Sequence, residues 1–186
     1  MKTTVNDIAD LHLSRLSVLV ADDSLNIRKL VSEMLRSIGV KTVRQASSGI
    51  EVFEILKTCP VDLMILDLVM DQLDGIETAK LLRQSPDSPN RTVPIILITG
   101  HTERSNIVRA RDAGINEVIA KPFSAQVLLD HLRHVLTCER EWIVTPHYTG
   151  PDRRKRTPVS YAGPWRRASD AEATSPTDTE VSAMTQ

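Results

Sequence analysis

The chain reads LMILDLVMDQLDG from Leu63 to Gly75, a short apolar run that ends in Asp67 and is followed by a loop. Four apolar residues before a carboxylate are too few for a helix and are typical of a strand that helices cover on both faces. Such strands form parallel sheets, in which the residues at the carboxyl ends of the strands line the ligand sites. Asp67 is therefore the first candidate functional residue.

Similar apolar runs lie on both sides of this strand and alternate with helical patterns from Ser17 to Leu136. This alternation is typical of βα units wound around a parallel sheet. The sequence therefore predicts an α/β fold, doubly wound, with a five-stranded parallel sheet. The predicted strands are Val18–Ala21, Thr42–Ala46, Leu63–Asp67, Pro94–Thr99 and Glu117–Ala120.

The clearest helical pattern lies between the first two strands, where apolar residues recur at steps of three and four until Gly39. We expect this apolar face to pack on the sheet. It consists of Ile27, Leu30, Val31, Met34, Leu35 and Ile38. Further helices are predicted over Gly49–Lys57, Gly75–Arg83, Glu103–Ala113 and Ser124–Thr137.

A chain of 186 residues suits one domain with an appendage. The formal net charge of −1 gives no general attraction to nucleic acid or to anionic membranes. No apolar run is long enough to cross a bilayer and the first ten residues are polar, so the sequence predicts a cytoplasmic protein without membrane insertion. Cys59 and Cys138 form no CxxC pair, and we expect both to be reduced.

The regular patterns stop near Glu139, where the composition shifts towards Pro, Gly, Ser, Thr and charged residues. We therefore predict an N-terminal extension over 1–15, a folded domain over 16–139 and a flexible tail over 140–186. The tail is basic and then acidic. Asp152 to Arg167 holds six basic residues and one acid, whereas Ala168 to Gln186 holds four acids and no base.

Chemically unusual residues lie at the ends of four predicted strands. They are Asp22 and Asp23 after the first, Asp67 at the third, Thr99 at the fourth and Lys121 after the fifth. These residues meet at one edge of an open parallel sheet, where three carboxylates and one ammonium group call for a divalent cation. Mg2+ prefers oxygen ligands and commonly serves phosphoryl groups. The sequence predicts a phosphoryl site in which Asp67 is the nucleophile, Lys121 binds phosphoryl oxygens and Thr99 hydrogen-bonds the product.

Four motifs, in this order and at these separations, resemble the receiver domain of bacterial two-component response regulators, the family that includes the chemotaxis regulators. They are VLVADDS at Val18–Ser24, LMILDLVMDQLDG at Leu63–Gly75, IILITG at Ile95–Gly100 and VIAKPF at Val118–Phe123. The resemblance covers roughly residues 16 to 138. It implies a flavodoxin-like (βα)5 receiver fold and a stand-alone signalling protein. Such a protein is not a metabolic enzyme and catalyses only its own phosphorylation and dephosphorylation.

The resemblance also implies a metal site. Asp67 is the phosphoacceptor and, with Asp23, a direct carboxylate ligand of Mg2+, while Asp22 acts mainly through water. The backbone carbonyl of Val69 completes the protein ligands. Gly75 fits the turn by which the family enters its third helix.

The switch and the partners follow from the same resemblance. Lys121 contacts the phosphoryl group, and Thr99 moves to meet it and carries the signal outward. The phosphoryl donor is a sensor histidine kinase or a histidine phosphotransfer protein, and an output protein reads the surface over Glu103–Thr137. The chain departs from the family at Val118, where many members have an aromatic ring that rotates with the switch.

The tail carries every Trp and Tyr of the chain, and exposed aromatic residues favour a partner surface. They are Trp142, Tyr148, Tyr161 and Trp165. Docking on a protein or back on the receiver is favoured, with stacking on single-stranded nucleic acid as the alternative. A phosphohydrolase of the haloacid dehalogenase type is a further alternative. It is disfavoured because that class has a DxD motif after its first strand, where this chain has the adjacent Asp22 and Asp23.

Overall fold

The structure, a computed structural model, describes residues 13–85, 88, 90–138, 141–145 and 148–152. Five parallel strands form one sheet in the order β2-β1-β3-β4-β5. Their bounds are Ser17–Ala21 (β1), Thr42–Ala46 (β2), Leu63–Asp67 (β3), Ile95–Thr99 (β4) and Glu117–Ala120 (β5). The helices between and after them are Leu25–Ser37 (α1), Gly49–Thr58 (α2), Gly75–Gln84 (α3), Arg104–Asp112 (α4) and Ala125–Thr137 (α5). The predicted α/β fold with five parallel strands is confirmed.

The central strands are buried because helices cover both faces of the sheet. Every residue of β3 and of β4 is buried, as their continuous apolar sequences require. Side chains alternate between the faces, so Leu63 and Ile65 join the apolar cluster with α1 and α5, whereas Met64 and Leu66 join the cluster with α2, α3 and α4. The strand order changes direction between β1 and β3, which is where ligands bind in open α/β sheets.

The predicted sheet-facing surface of α1 needs one correction. Val31 and Leu35 are buried against the sheet, but Leu30 is 48% exposed. Successive residues in a helix are about 100° apart, so Leu30 lies at the border of the stripe that centres on Val31. The apolar spacing therefore predicted the helix correctly but wrongly placed Leu30 on its buried face.

The structure also changes the expected start of the domain. Residues 1–12 of the predicted N-terminal extension lie outside the described residues. Leu13–Arg15 form one turn of 3-10 helix, and Leu13 is 6% exposed within the cluster that holds α1. The folded domain therefore begins before residue 16, because Leu13 supplies apolar surface to its core.

The tail differs from the prediction at its beginning. Trp142–Thr145 (β6) and Tyr148–Pro151 (β7) pair as an antiparallel hairpin, and every residue of β7 is buried. The predicted flexible tail over 140–186 thus contains a hairpin at its start, because this segment gains burial by packing on the receiver rather than from an apolar face of its own. The predicted basic and acidic blocks from Arg153 onwards lie outside the described residues, together with Tyr161 and Trp165.

The hairpin falls in the same compact unit as the five-stranded sheet, Met1–Arg153. The second unit, Arg154–Gln186, lies entirely outside the described residues. In the described part of the chain, no helix combines the length and the apolar character that crossing a membrane requires.

Candidate functional site

Three carboxylates meet at the carboxyl edge of the sheet. Asp22 and Asp23 follow β1, and Asp67 is the last residue of β3, which pairs with β1. Each of them offers a carboxylate oxygen, and these three atoms lie within 4.8 Å of one another. The donor set consists of oxygen alone, which suits a hard divalent cation such as Mg2+. The structure therefore brings Asp22, Asp23 and Asp67 together at one edge of the sheet, as the sequence predicted.

Lys121 contacts two of these carboxylates at the same carboxyl edge of the sheet. Its Nζ lies 2.8 Å from Oδ1 of Asp67 and 3.0 Å from Oδ2 of Asp22. The lysine reaches them because β5 ends at Ala120, one residue before it, at the same edge of the sheet. One ammonium group thus bridges the two buried acids, as the strand ends predicted.

The protonation of Asp67 reflects a balance between burial and its neighbours. Asp67 is 8% exposed, and loss of solvation raises the pKa of its carboxyl group above the ordinary value, although Lys121 opposes this rise. Burial alone would lower the pKa of Lys121, but its hydrogen bonds to Asp67 and Asp22 and the charges of both acids together raise it. Lys121 is therefore a cation at neutral pH, and its charge offsets only part of the effect of burial on the pKa of Asp67.

Asp22 and Asp23 differ in how the protein holds them. Asp22 is 4% exposed, and its Oδ1 accepts a hydrogen bond of 2.8 Å from the backbone N–H of Ser24, while Oδ2 accepts from Lys121. Asp23 is exposed. Protein donors thus occupy both oxygens of Asp22, whereas the carboxylate of Asp23 faces solvent beside Asp67. The direct role of Asp23 and the water-mediated role of Asp22 at a metal ion stay predictions.

Thr99 and Val69 occupy the remaining predicted positions. Thr99 is 1% exposed at the end of β4, and its Oγ1 accepts a hydrogen bond of 2.8 Å from the backbone N–H of His101. Val69, two residues after Asp67, is 54% exposed. Val118 is partly buried and packs on the apolar cluster that holds α2, α3 and α4.

Gly75 keeps the loop after Asp67 close to the strand. Its N–H donates to the backbone oxygen of Leu68 over 3.1 Å. A β-carbon at this position would lie 2.1 Å from the backbone oxygen of Asp67, which no side chain can tolerate. Glycine is therefore required where the chain returns past Asp67 into α3.

Sequence reasoning missed one residue beside the site. Nη1 of Arg28, one turn into α1, donates hydrogen bonds of 2.5 Å and 3.2 Å to the backbone oxygens of Asp22 and Asp23. These bonds tie the loop that carries both acids to α1. Nothing in the pattern distinguished Arg28 from a solvated helix residue, because its partners are backbone atoms whose positions depend on the folded loop.

Comparisons with known proteins agree with this arrangement. The family profile of the response regulator receiver domain matches residues 18–133. Chemotaxis protein CheY1 of Helicobacter pylori is 34% identical over 122 residues, which are 65% of this chain and 97% of that protein. Chemotaxis protein CheY-3 of Vibrio cholerae is 31% identical over 117 residues, which are 63% of this chain and 88% of that protein.

Solved structures show the same similarity in three dimensions. Vibrio cholerae chemotaxis protein CheY4 has a TM-score of 0.60 and 30% identity, over 64% of this chain and 98% of that chain. The receiver domain of sensor histidine kinase PA1611 from Pseudomonas aeruginosa has a TM-score of 0.59 and 25% identity, over 66% of this chain and 98% of that chain. The fold, the acidic site and these matches together show that the chain belongs to the response regulator receiver family.

Proposed function

We propose that this chain is a phosphorylation-dependent signalling switch that receives a phosphoryl group on Asp67. The observation that carries the proposal is the bridge of Lys121 between Asp67 and Asp22, beside an exposed Asp23. This arrangement pairs a nucleophilic carboxylate with a fixed cation and with further oxygen ligands. Membership of the receiver family supports it. The phosphoryl donor we propose is a sensor histidine kinase or a histidine phosphotransfer protein.

The residues present fit a bound Mg2+. Asp23, Asp67 and the backbone carbonyl of Val69 would hold the ion directly, and Asp22 would hold it through water. When bound, Mg2+ neutralises charge on the phosphoryl oxygens. The solved receiver domain of PA1611, a related protein, has a magnesium ion coordinated in its active-site cleft.

The transfer itself requires little of the protein besides position and charge. A carboxylate oxygen of Asp67 attacks phosphorus, so a new O–P bond forms. The P–N bond to the donor histidine breaks, and the imidazole nitrogen keeps its electron pair. Lys121, 2.8 Å from Asp67, then stabilises the negative oxygens of the product.

The signal leaves the site through β4 and β5. Thr99 pairs with Ala120, the last residue of β5, so Thr99 and Lys121 lie at the ends of adjacent strands. In the proposed switch, Thr99 gives up its hydrogen bond with the backbone of His101 to meet the phosphoryl group. The segment that starts at His101 and continues into α4 then adopts a second arrangement, which an output protein reads.

Incubation with a small phosphodonor and Mg2+, followed by intact mass measurement, tests the proposal. Wild type should gain the mass of one phosphoryl group, which hydroxylamine removes, and Asp67→Asn should gain none because its amide lacks the attacking oxygen. Asp71→Asn, in the exposed loop that follows, serves as a control and should be labelled like wild type. Equal labelling of Asp67→Asn and wild type would refute the assignment.

A further inference from the structure

The stretch YTGP, which forms β7 from Tyr148 to Pro151, lies buried against parts of the receiver that are far apart in sequence. Oγ1 of Thr149 accepts a hydrogen bond of 2.8 Å from Nη2 of Arg91, in the connection between α3 and β4. Gly150 lies against Gly114, in the turn between α4 and β5. The ring of Trp142, in β6, lies 4.8 Å from the guanidinium carbon of Arg83, in α3.

The receiver side of this contact is organised around a buried arginine. Arg83 is 1% exposed, and its guanidinium donates to the backbone oxygens of Gly114 (3.2 Å), Arg91 (2.6 Å) and Val93 (2.7 Å). One side chain therefore ties α3 to the start of β4 and to the turn before β5. Burial lowers the pKa of Arg83 to about 9, so it is still a cation at neutral pH.

The hairpin side is shaped to fit this surface closely. The hydroxyl of Tyr148 donates to the backbone oxygen of Pro151 over 2.7 Å, and Oγ1 of Thr145 accepts from the backbone N–H of Tyr148 over 2.9 Å. A β-carbon on Gly150 would lie 2.5 Å from Oη of Tyr148 and 2.8 Å from the α-carbon of Gly114. Each residue of YTGP thus has its own contact. The hydroxyl of Tyr148 bonds within the hairpin, Thr149 accepts from Arg91, Gly150 allows close approach to Gly114, and Pro151 is buried.

We propose that Arg83, Arg91 and Gly114 form a docking surface for this chain's own Trp142–Pro151 hairpin, and that docking restrains the turn between α4 and β5. The second part rests on the proposed function. The turn lies between α4, which follows the segment released by Thr99, and β5, which leads to Lys121. A hairpin attached to this turn favours the arrangement of α4 and β5 to which it fits.

Coupling of this kind has to act in both directions. If phosphorylation changes the arrangement of the turn, it changes the stability of hairpin docking. By thermodynamic linkage, docking then changes the affinity of the site for the phosphoryl group, or for an analogue, by the same factor. The hairpin would thus make the C-terminal extension sensitive to the state of Asp67, although Gly114 precedes β5 and Lys121, the partner of Asp67, follows it.

Amide hydrogen exchange on the full chain tests both parts of the proposal. Gly150→Val should release the hairpin, since no space exists for its side chain beside Gly114. Val144→Thr is the matched control, because Val144 lies in the same hairpin and is 59% exposed. Released hairpin amides and those of the α4–β5 turn should exchange about tenfold faster or more, whereas β1 and β3 should keep the wild-type rate.

The second measurement is the affinity for beryllofluoride with Mg2+, a mimic of the phosphoryl group. In wild type, beryllofluoride should change the rate of hairpin exchange by some factor. Gly150→Val, which removes docking, should change the affinity for beryllofluoride by the same factor. Thr149→Val, which keeps the volume but removes the acceptor for Arg91, should give smaller shifts in the same directions.

The outcomes separate the docking of the hairpin from its coupling to the site. Equal hairpin exchange in wild type, Thr149→Val and Gly150→Val would show that the hairpin does not dock. Faster hairpin exchange with an unchanged α4–β5 turn and unchanged beryllofluoride affinity would overturn the coupling. Failure of wild type to bind beryllofluoride would instead refute the proposed function, while the exchange rates without ligand would still decide whether the hairpin docks.

Discussion

Burial makes the carboxyl group of Asp67 costly to ionise. Because burial raises the pKa of Asp67 above its value in the unfolded chain, the protonated group stabilises the fold, and this contribution is lost as the pH rises through the folded pKa. Without Mg2+, Asp67→Asn should therefore be more stable than wild type at pH 7. The difference should vanish below about pH 4, where the aspartate is protonated in both states.

Urea unfolding of both proteins across this pH range, with EDTA or with excess Mg2+, measures the difference. Mg2+ should reduce it, since an ion that binds the wild-type carboxylates stabilises only the protein that has them all. A wild type that is more stable than Asp67→Asn at pH 7 in EDTA would contradict the prediction.

Arg28 holds the loop of Asp22 and Asp23 by their backbone oxygens, so its removal should loosen the proposed metal ligands. We expect Arg28→Ala to weaken Mg2+ binding about fivefold to tenfold, because preorganised ligands lose less entropy on binding. Lys29→Ala, an exposed neighbour that removes the same charge, should change it little. Calorimetric titration distinguishes the two, and a tighter site in Arg28→Ala would show that charge repulsion outweighs positioning.

At the scale of secondary structure, the same patterns that predicted the helices could not predict how tightly each was buried. Periodicity located α1 and placed Val31 on the sheet, but it did not show that Leu30, at the border of the buried stripe, is 48% exposed. The hairpin shows the limit more clearly. Tyr148 and Pro151 are buried. The aromatic residues after residue 139 favoured a partner surface, but nothing in that window identified Arg83, Arg91 or Gly114 as the surface.

Arg83 should contribute more to stability than any surface cation of α3. Arg83→Met keeps much of the volume but leaves the backbone oxygens of Gly114, Arg91 and Val93 without their guanidinium donor. We expect a loss of about 3 kcal/mol, since each buried acceptor that loses its partner costs about 1 to 3 kcal/mol and water recovers part of this. Lys80→Met, an exposed control in the same helix, should cost little, as urea denaturation can show.

Across the whole molecule, the acidic site was predictable because it needs only the order of the strands. Parallel strands place their carboxyl ends at one edge, so Asp22, Asp67 and Lys121 had to meet wherever the loops went. The hydrogen bonds from Arg28 and from Arg83 to backbone oxygens could not be predicted in this way. Both side chains bind carbonyl oxygens, which every residue has, so their partners exist only in the folded chain.

Two truncations separate the folded extension from the residues that follow it. A chain that ends after Asp152 keeps the described hairpin and should match the full chain in stability. A chain that ends after Cys138 exposes Arg83 and the surface under Tyr148, so it should unfold at lower urea. Both should still accept a phosphoryl group on Asp67, since the site lies at the other end of β5 from Gly114. A Cys138 truncation as stable as the full chain would show that the hairpin adds nothing to the fold, and loss of labelling in that folded protein would show that it supports the site.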